Sequence, residues 1–152
     1  MLTEDSLQEI ADRLAIQELL YRYADMVDSR DWERIDEVFI EGAQLDYTST
    51  GGAKGDAREV MAWLDRALEP WPINLHCISN VRVRFEGAGA VCRSAFHAPM
   101  ARGELGAQNV ITNAGYYEDV LVRTASGWRI QDRVCRQTLM QGELPEGYEI
   151  PD

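Results

Sequence analysis

The apolar positions in the first part of the chain recur every three to four residues, the spacing of a helix. From Leu7 to Val27 they form the stripe of an amphipathic helix, and Ser6 with Glu9 has the form of a capping box ahead of it. The pattern predicts one long helix that ends near Asp28.

A second, shorter helix is predicted next. Asp31 can cap it, its apolar positions run from Trp32 to Phe39, and Glu41-Gly42 ends it. Ala43 to Tyr47 then predicts a short strand, and the glycine-rich stretch 48–55 predicts a loop.

A third helix is predicted after this loop. Asp56 with Glu59 repeats the capping pattern, and Pro70 and Pro72 close the helix. Beyond it, apolar and polar residues alternate, which is typical of strands. Long strands are predicted at 75–85, 90–100, 109–123 and 128–140, with Val81, Val83 and Phe85 on one face of the first and Arg82 and Arg84 on the other.

This order of elements predicts an α+β domain in which three N-terminal helices pack on a curved, mostly antiparallel sheet that forms a cone. A pocket is expected between the helices and the concave face of the sheet. Residues 1–140 are predicted to form a single domain, and residues 141–152 an acidic C-terminal tail that is extended or mobile.

Composition narrows the function classes. At 152 residues the chain suits one domain with its own core. Its net charge of −11 argues against nucleic acid or an anionic membrane as a partner, because both would repel it. The acidic N-terminus does not have the form of a signal peptide, and no apolar run reaches membrane-spanning length, which predicts a cytoplasmic protein.

The residues of reactive type are few. Cys77, Cys92 and Cys135 are odd in number and embedded in apolar runs, which predicts buried, reduced thiols. The sequence has no P-loop, dinucleotide-binding, CxxC or HExxH motif, and its two histidines and scattered acids have no metal-ligand spacing. We therefore expect no metal and no cofactor.

The order of elements, together with AIQELLYRYADMVDSRDWERIDEVF, NLHCISN and YYEDVLVRTASGWRIQDR, resembles the nuclear transport factor 2-like superfamily. Within it the chain is similar to the SnoaL-like branch, which includes polyketide cyclases, scytalone dehydratase, bile-acid dehydratase and hexachlorocyclohexane dehydrochlorinase. The resemblance extends from residue 6 to residue 140 and implies a cystatin-like fold.

The resemblance also implies site residues. The Asp–His dyad of the dehydratases and the dehydrochlorinase would fall on Asp28 in VDSRDW and His76 in NLHCISN, and pocket tyrosines would fall on Tyr23 and Tyr47. Histidine suits the role of base because it titrates near physiological pH. Asp28 would orient the ring and stabilise the imidazolium, while the tyrosines would donate hydrogen bonds to a developing enolate.

Two further residues are implied less directly. An active-site arginine would fall near Arg133, where it would bind a carboxylate or enolate, and a second histidine would fall in the region of His97, where it would protonate a leaving hydroxyl. Structural alternatives exist for both: Arg133 suits a surface ion pair with Asp132, and His97 suits a core or interface position. Asp28 equally suits a cap between two helices, and Tyr23 a core aromatic.

The sequence thus predicts a cofactor-independent lyase or isomerase that acts on a small hydrophobic ring compound by dehydratase-like β-elimination. The alternative is a non-catalytic ligand-binding protein, or a structural subunit similar to the β subunit of a ring-hydroxylating dioxygenase. For such a subunit we expect side chains to fill the pocket. Open sheet edges predict a homodimer or homotrimer.

Overall fold

The computed structural model describes Met1 and residues 3–152 of the chain. Within these residues lie three α-helices, α1 (Glu4–Ser29), α2 (Ile35–Val38) and α3 (Ala57–Leu68). Seven strands accompany them: β1 (Phe39–Asp46), β2 (Lys54–Asp56), β3 (Ile73–Asn74), β4 (Cys77–Glu86), β5 (Gly89–Arg102), β6 (Asn109–Thr124) and β7 (Gly127–Gln141). The long strands therefore follow the helices, as the hydrophobic pattern predicts.

Helix α1 begins before the predicted capping box. Thr3 is the N-cap residue, and its hydroxyl oxygen accepts a hydrogen bond from the backbone N–H of Ser6 at 3.2 Å. The helix ends at Ser29 because Arg30 adopts the left-handed conformation, with a φ of 57°. Asp28 thus lies in the last turn. In the part of the chain that the structure describes, no helix is long and apolar enough to cross a membrane.

The second helix is shorter than the sequence predicts. A 3-10 turn at Trp32–Arg34 leads into α2, which ends at Val38. Asp31 precedes the turn but makes no capping hydrogen bond through its side chain. The predicted end of this helix at Glu41-Gly42 is therefore wrong.

The residues that follow α2 form strand β1 instead of helix, because they pair with β7. Phe39 lies opposite Ile130 and is extended, so the helix cannot continue through it. Gly42 lies inside β1 with a φ of 74°, at an irregularity where the register to β7 shifts between Phe39 and Gln44. The glycine that resembles a helix stop is therefore part of a strand bulge.

The strands form one mixed sheet in the order β2-β1-β7-β6-β5-β3, with β4 also paired to β5. Strands β4 to β7 form an antiparallel meander, whereas β1 runs parallel to β7. Helices α1 and α3 pack on this curved sheet, and α2 connects α1 to β1. This confirms the predicted α+β architecture with a mostly antiparallel sheet.

Two irregularities bend the ladder between β6 and β7. The register shifts between Ala114 and Gly115, and again between Val120 and Leu121. A Cβ added to Gly115 would overlap the carbonyl oxygen of Arg136 on β7. Only glycine allows the two backbones to approach this closely.

The faces of β4 are those predicted: Val81, Val83 and Phe85 are partly buried, while Arg82 and Arg84 are exposed. The same alternation shows that the prediction of three buried cysteines is wrong for one of them. Cys92 and Cys135 are buried, but Cys77 is exposed because Ile78, its neighbour on β4, takes the inward position.

We expect Gly115→Ala to destabilise the fold by about 1–3 kcal/mol, since the strands must separate to admit a methyl group. Gly42→Ala is the control, because a Cβ there meets no atom within 4 Å and costs only backbone strain at positive φ. Urea unfolding of both variants measures the difference. Equal losses would show that the contact with Arg136 relaxes freely.

Candidate active site

The carboxylate of Asp28 joins the end of α1 to the segment that precedes β4. Its Oδ1 lies 2.5 Å from Nδ1 of His76, and its Oδ2 accepts a hydrogen bond from the backbone N–H of His76 at 2.8 Å. Both carboxylate oxygens are used, so the imidazole is fixed in position and in rotation. With Nδ1 held by the carboxylate, Nε2 is the ring nitrogen that remains for a reaction.

Arg30 strengthens the same junction. Its Nη2 donates to the carbonyl oxygens of Leu68, the last residue of α3, and of Trp71 at 3.1 and 2.8 Å. Asn74 Nδ2 donates to the same Trp71 carbonyl at 2.6 Å. Because Arg30 lies two residues after Asp28, these bonds tie the end of α1 to the stretch that leads to His76.

Two buried tyrosines lie beside the dyad. The hydroxyl oxygens of Tyr23 and Tyr47 are 2.6 Å apart, and the Tyr23 ring packs edge-on against the imidazole of His76 with 6.3 Å between centroids. Burial raises the pKa of both phenols, so both stay protonated. One hydroxyl donates to the other, which leaves the second O–H as a donor for a ligand.

Arg133 is fully buried next to these tyrosines. Its Nε and Nη2 donate to the two carboxylate oxygens of Asp119 at 2.7 and 2.9 Å. Its guanidinium carbon lies 4.2 Å from the ring centroid of Tyr23 and 4.0 Å from that of Tyr117. Burial alone would lower the pKa of Arg133, but the Asp119 carboxylate outweighs it and holds that pKa well above its ordinary value. The arginine is therefore a permanent positive charge held against two ring faces.

A bulge in β7 turns Arg133 inward. Ile130 faces the core, and strict alternation would turn Asp132 inward and Arg133 outward. Gln131, however, pairs with no residue of β6, so the alternation changes phase at this position. The sequence pattern does not reveal this change, and it is why a surface ion pair with Asp132 is a reasonable but incorrect alternative for Arg133.

A cavity of about 110 Å³ lies between α3 and the concave face of the sheet. Tyr23, Tyr47 and His76 lie in its wall. Most of the remaining wall is apolar or aromatic, including Leu64, Leu68, Trp71, Phe96, Met100 and Ile111. Among the described residues, no lysine, arginine, aspartate or glutamate lines the cavity. The wall therefore suits a largely apolar, uncharged ligand that reaches a few polar groups.

The structure gathers most of the predicted site residues, but at different depths. Asp28 contacts His76 from outside the cavity wall, and Arg133 contacts the tyrosines in the same way. His97 does not join them, because it is exposed on the opposite face of β5 from Phe96. Its position provides no route for donating a proton to a ligand in this cavity.

Several residues of the site were not predicted from the sequence. Tyr117 lines the cavity and stacks on Phe96 with 4.6 Å between centroids, and Asn113 lines it with its side-chain oxygen bonded to Gln137 Nε2 at 2.9 Å. Asp119 lies on the same inward-facing series of β6. A lone acid in such a series needs a buried partner of opposite charge, and this signal could have identified Asp119.

Comparisons with known proteins agree with this fold. The SnoaL-like domain family matches residues 8–134. An uncharacterized protein of Mycobacterium tuberculosis is 37% identical over 139 residues, which cover 89% of this chain and 93% of that protein.

Solved structures are similar at lower identity. A candidate scytalone dehydratase from Novosphingobium aromaticivorans superposes with a TM-score of 0.74 at 20% identity, covering 97% of this chain and 99% of that one. A type 2 hexachlorocyclohexane dehydrochlorinase superposes with a TM-score of 0.71 at 19% identity, covering 93% and 99%. At these identities the likeness shows the fold alone.

Asp119→Ala is expected to lower the free energy of unfolding by about 3–5 kcal/mol, because it leaves the Arg133 guanidinium buried without its counter-ion. Glu118→Ala is the matched control. It removes the neighbouring acid, whose ion pair with Arg136 is solvent-exposed and contributes at most about 1 kcal/mol. Urea denaturation of both variants gives the two values, and a small loss for Asp119→Ala would show that water or a rotamer change relieves the unpaired charge.

The cysteines should differ sharply in reactivity. Burial raises the pKa of the Cys92 and Cys135 thiols to about 12, whereas Cys77 is exposed. At pH 8 we expect iodoacetamide to modify Cys77 in the native protein and the other two only after unfolding. Peptide mass spectrometry locates the adducts. Native labelling of Cys135 would mean that reagent enters the cavity.

Proposed function

Since this chain belongs to the SnoaL-like domain family, we propose that it is a cofactor-independent lyase or isomerase that acts on a small hydrophobic ring compound. The family assignment confirms the resemblance that was inferred from the sequence, and it identifies the fold. The proposed chemistry rests on one observation, the hydrogen-bonded pair of Asp28 and His76 at the wall of an apolar cavity.

In the proposed reaction His76 is the general base. Its Nε2 takes a proton from a carbon beside a carbonyl group of the substrate. Asp28 holds the ring through Nδ1 and stabilises the imidazolium that forms. General-base catalysis by a positioned side chain contributes roughly 10²–10⁴-fold to a rate.

The electron pair of the broken C–H bond moves toward the carbonyl oxygen, which becomes an enolate. The free O–H of the Tyr23–Tyr47 pair is the donor for this oxygen, and the charge on Arg133 behind the rings stabilises it electrostatically. The enolate then re-forms the carbonyl and expels the hydroxyl group from the β-carbon. The imidazolium of His76 gives up its proton to the leaving hydroxide, so water departs and the base is regenerated.

This route assigns no role to His97, whose side chain lies on the other face of the sheet. It also agrees with one structural relative, a hexachlorocyclohexane dehydrochlorinase, since loss of hydrogen chloride is likewise a β-elimination. A non-catalytic subunit would be expected to fill its pocket with side chains. His76 lies in the wall of an open cavity, which argues against the subunit alternative.

The test uses monocyclic β-hydroxy ketones, beginning with 3-hydroxycyclohexanone. Formation of the enone is followed by ultraviolet absorbance, and uptake of deuterium at the α-carbon in D2O is followed by NMR. Exchange reports proton abstraction even for a compound whose hydroxyl group does not leave.

We expect His76→Ala to lower the rate at least about 10²-fold, and Asp28→Asn to lower it by a similar order, because neutral asparagine does not stabilise the imidazolium. His97→Ala is the control and should retain the rate within about twofold, since it removes an exposed histidine away from the cavity. Equal rates for His76→Ala and the parent protein on any compound that reacts would contradict the proposal.

A further inference from the structure

The C-terminal strap, residues 143–152, forms part of the cavity wall. Leu144, Tyr148 and Ile150 line the cavity together with residues of α3 and the sheet. The four acids of this segment, Glu143, Glu146, Glu149 and Asp152, are all exposed. The strap therefore contributes apolar side chains to the cavity and directs its charges to solvent.

Hydrogen bonds hold the strap at both ends. Near its start, Asn109 Nδ2 on β6 donates to the carbonyl oxygen of Glu143 at 3.1 Å. Near its end, Trp63 Nε1 on α3 donates to the carbonyl oxygen of Pro151 at 2.8 Å. The strap thus bridges the sheet and α3, the two elements between which the cavity lies.

Aromatic packing fixes the middle of the strap. The ring of Tyr148 packs edge-on against Trp71 with 5.9 Å between centroids, and Trp71 itself is fully buried. Ile150 reaches the loop after β1, where its Cδ1 lies 2.9 Å from the position that a Cβ on Gly51 would occupy. These contacts give the strap a defined position over the cavity.

The position of the strap limits the space for a ligand. Pockets for drug-sized ligands commonly measure roughly 300–1,000 Å³, whereas an apolar cavity of roughly 150 Å³ holds benzene. The volume here is about 110 Å³. With the strap in place, the cavity is on the scale of one six-membered ring.

We propose that the C-terminal strap determines substrate size, with Tyr148 and Ile150 restricting the cavity to uncharged compounds of a single ring. This inference rests on the proposed function only in taking the same cavity as the ligand site. It makes the strap a specificity-determining element and assigns it no part in the chemical step.

The experiment measures binding of phenol and 2-naphthol to the 152-residue chain by isothermal titration calorimetry. The quantity of interest is the ratio of the dissociation constant of 2-naphthol to that of phenol. Tyr148→Ala opens space beside Trp71, and Ile150→Ala opens space beside Gly51 with little risk to folding because Ile150 is half-exposed. Tyr21→Ala removes an exposed tyrosine from α1 and is the matched control.

We expect the parent protein and Tyr21→Ala to favour phenol. Tyr148→Ala should lower the ratio about tenfold and Ile150→Ala about threefold, through tighter binding of 2-naphthol. Any of three results would overturn the proposal. The ratio could be unchanged in both strap variants, the parent protein could prefer 2-naphthol, or neither probe could bind. The readout is binding and not turnover. If the ratio of dissociation constants shifts as expected but the protein catalyses no α-proton exchange, the proposed function is overturned and the role of the strap is retained.

Discussion

The cavity depends on the two hydrogen bonds between Asp28 and His76. One carboxylate accepts from a backbone N–H and holds an imidazole, so it fixes both the path of the chain before β4 and the direction of the side chain. From the same end of α1, Arg30 donates to two carbonyl oxygens at the end of α3 and just beyond it. Helix α1, helix α3 and the sheet therefore meet at one polar junction, and an apolar space remains beside it.

Behind this junction the protein buries groups that are costly to desolvate. The Arg133–Asp119 pair is tolerable because it is bidentate and because two phenol rings cover the guanidinium. Among the described residues no lysine, arginine, aspartate or glutamate lines the cavity, yet a fixed positive charge lies one ring away. Under the proposed function, this arrangement would favour negative charge that develops on a neutral ligand.

The sequence was sufficient for the parts of the fold that local patterns encode. Helical spacing located α1 and α3, alternation located the four long strands, and the motifs around Asp28 and His76 predicted a pair that the structure shows in contact. Alternation failed where a bulge changes its phase, which is why the direction of Arg133 could not be inferred from its neighbours. The Gly42 bulge was read as a helix end for the same reason, since its cause is pairing with a strand distant in sequence. For the tail the sequence predicts only an extended or mobile segment, because the position of the strap depends on contacts with Trp63 and Asn109 rather than on a repeating pattern.

The parallel pairing of β1 with β7 has a consequence for the order of folding. Strands β4 to β7 join neighbours in sequence through short turns, so their contacts close small loops, whereas Leu45 meets Arg133 only after most of the chain has been enclosed. Loop-closure entropy delays contacts of the second kind. The meander can thus form before α1 and β1 dock on it. A chain halted at that stage has most of its sheet but neither Asp28 nor Tyr47 in place, so the candidate site is completed only with the last long-range contacts.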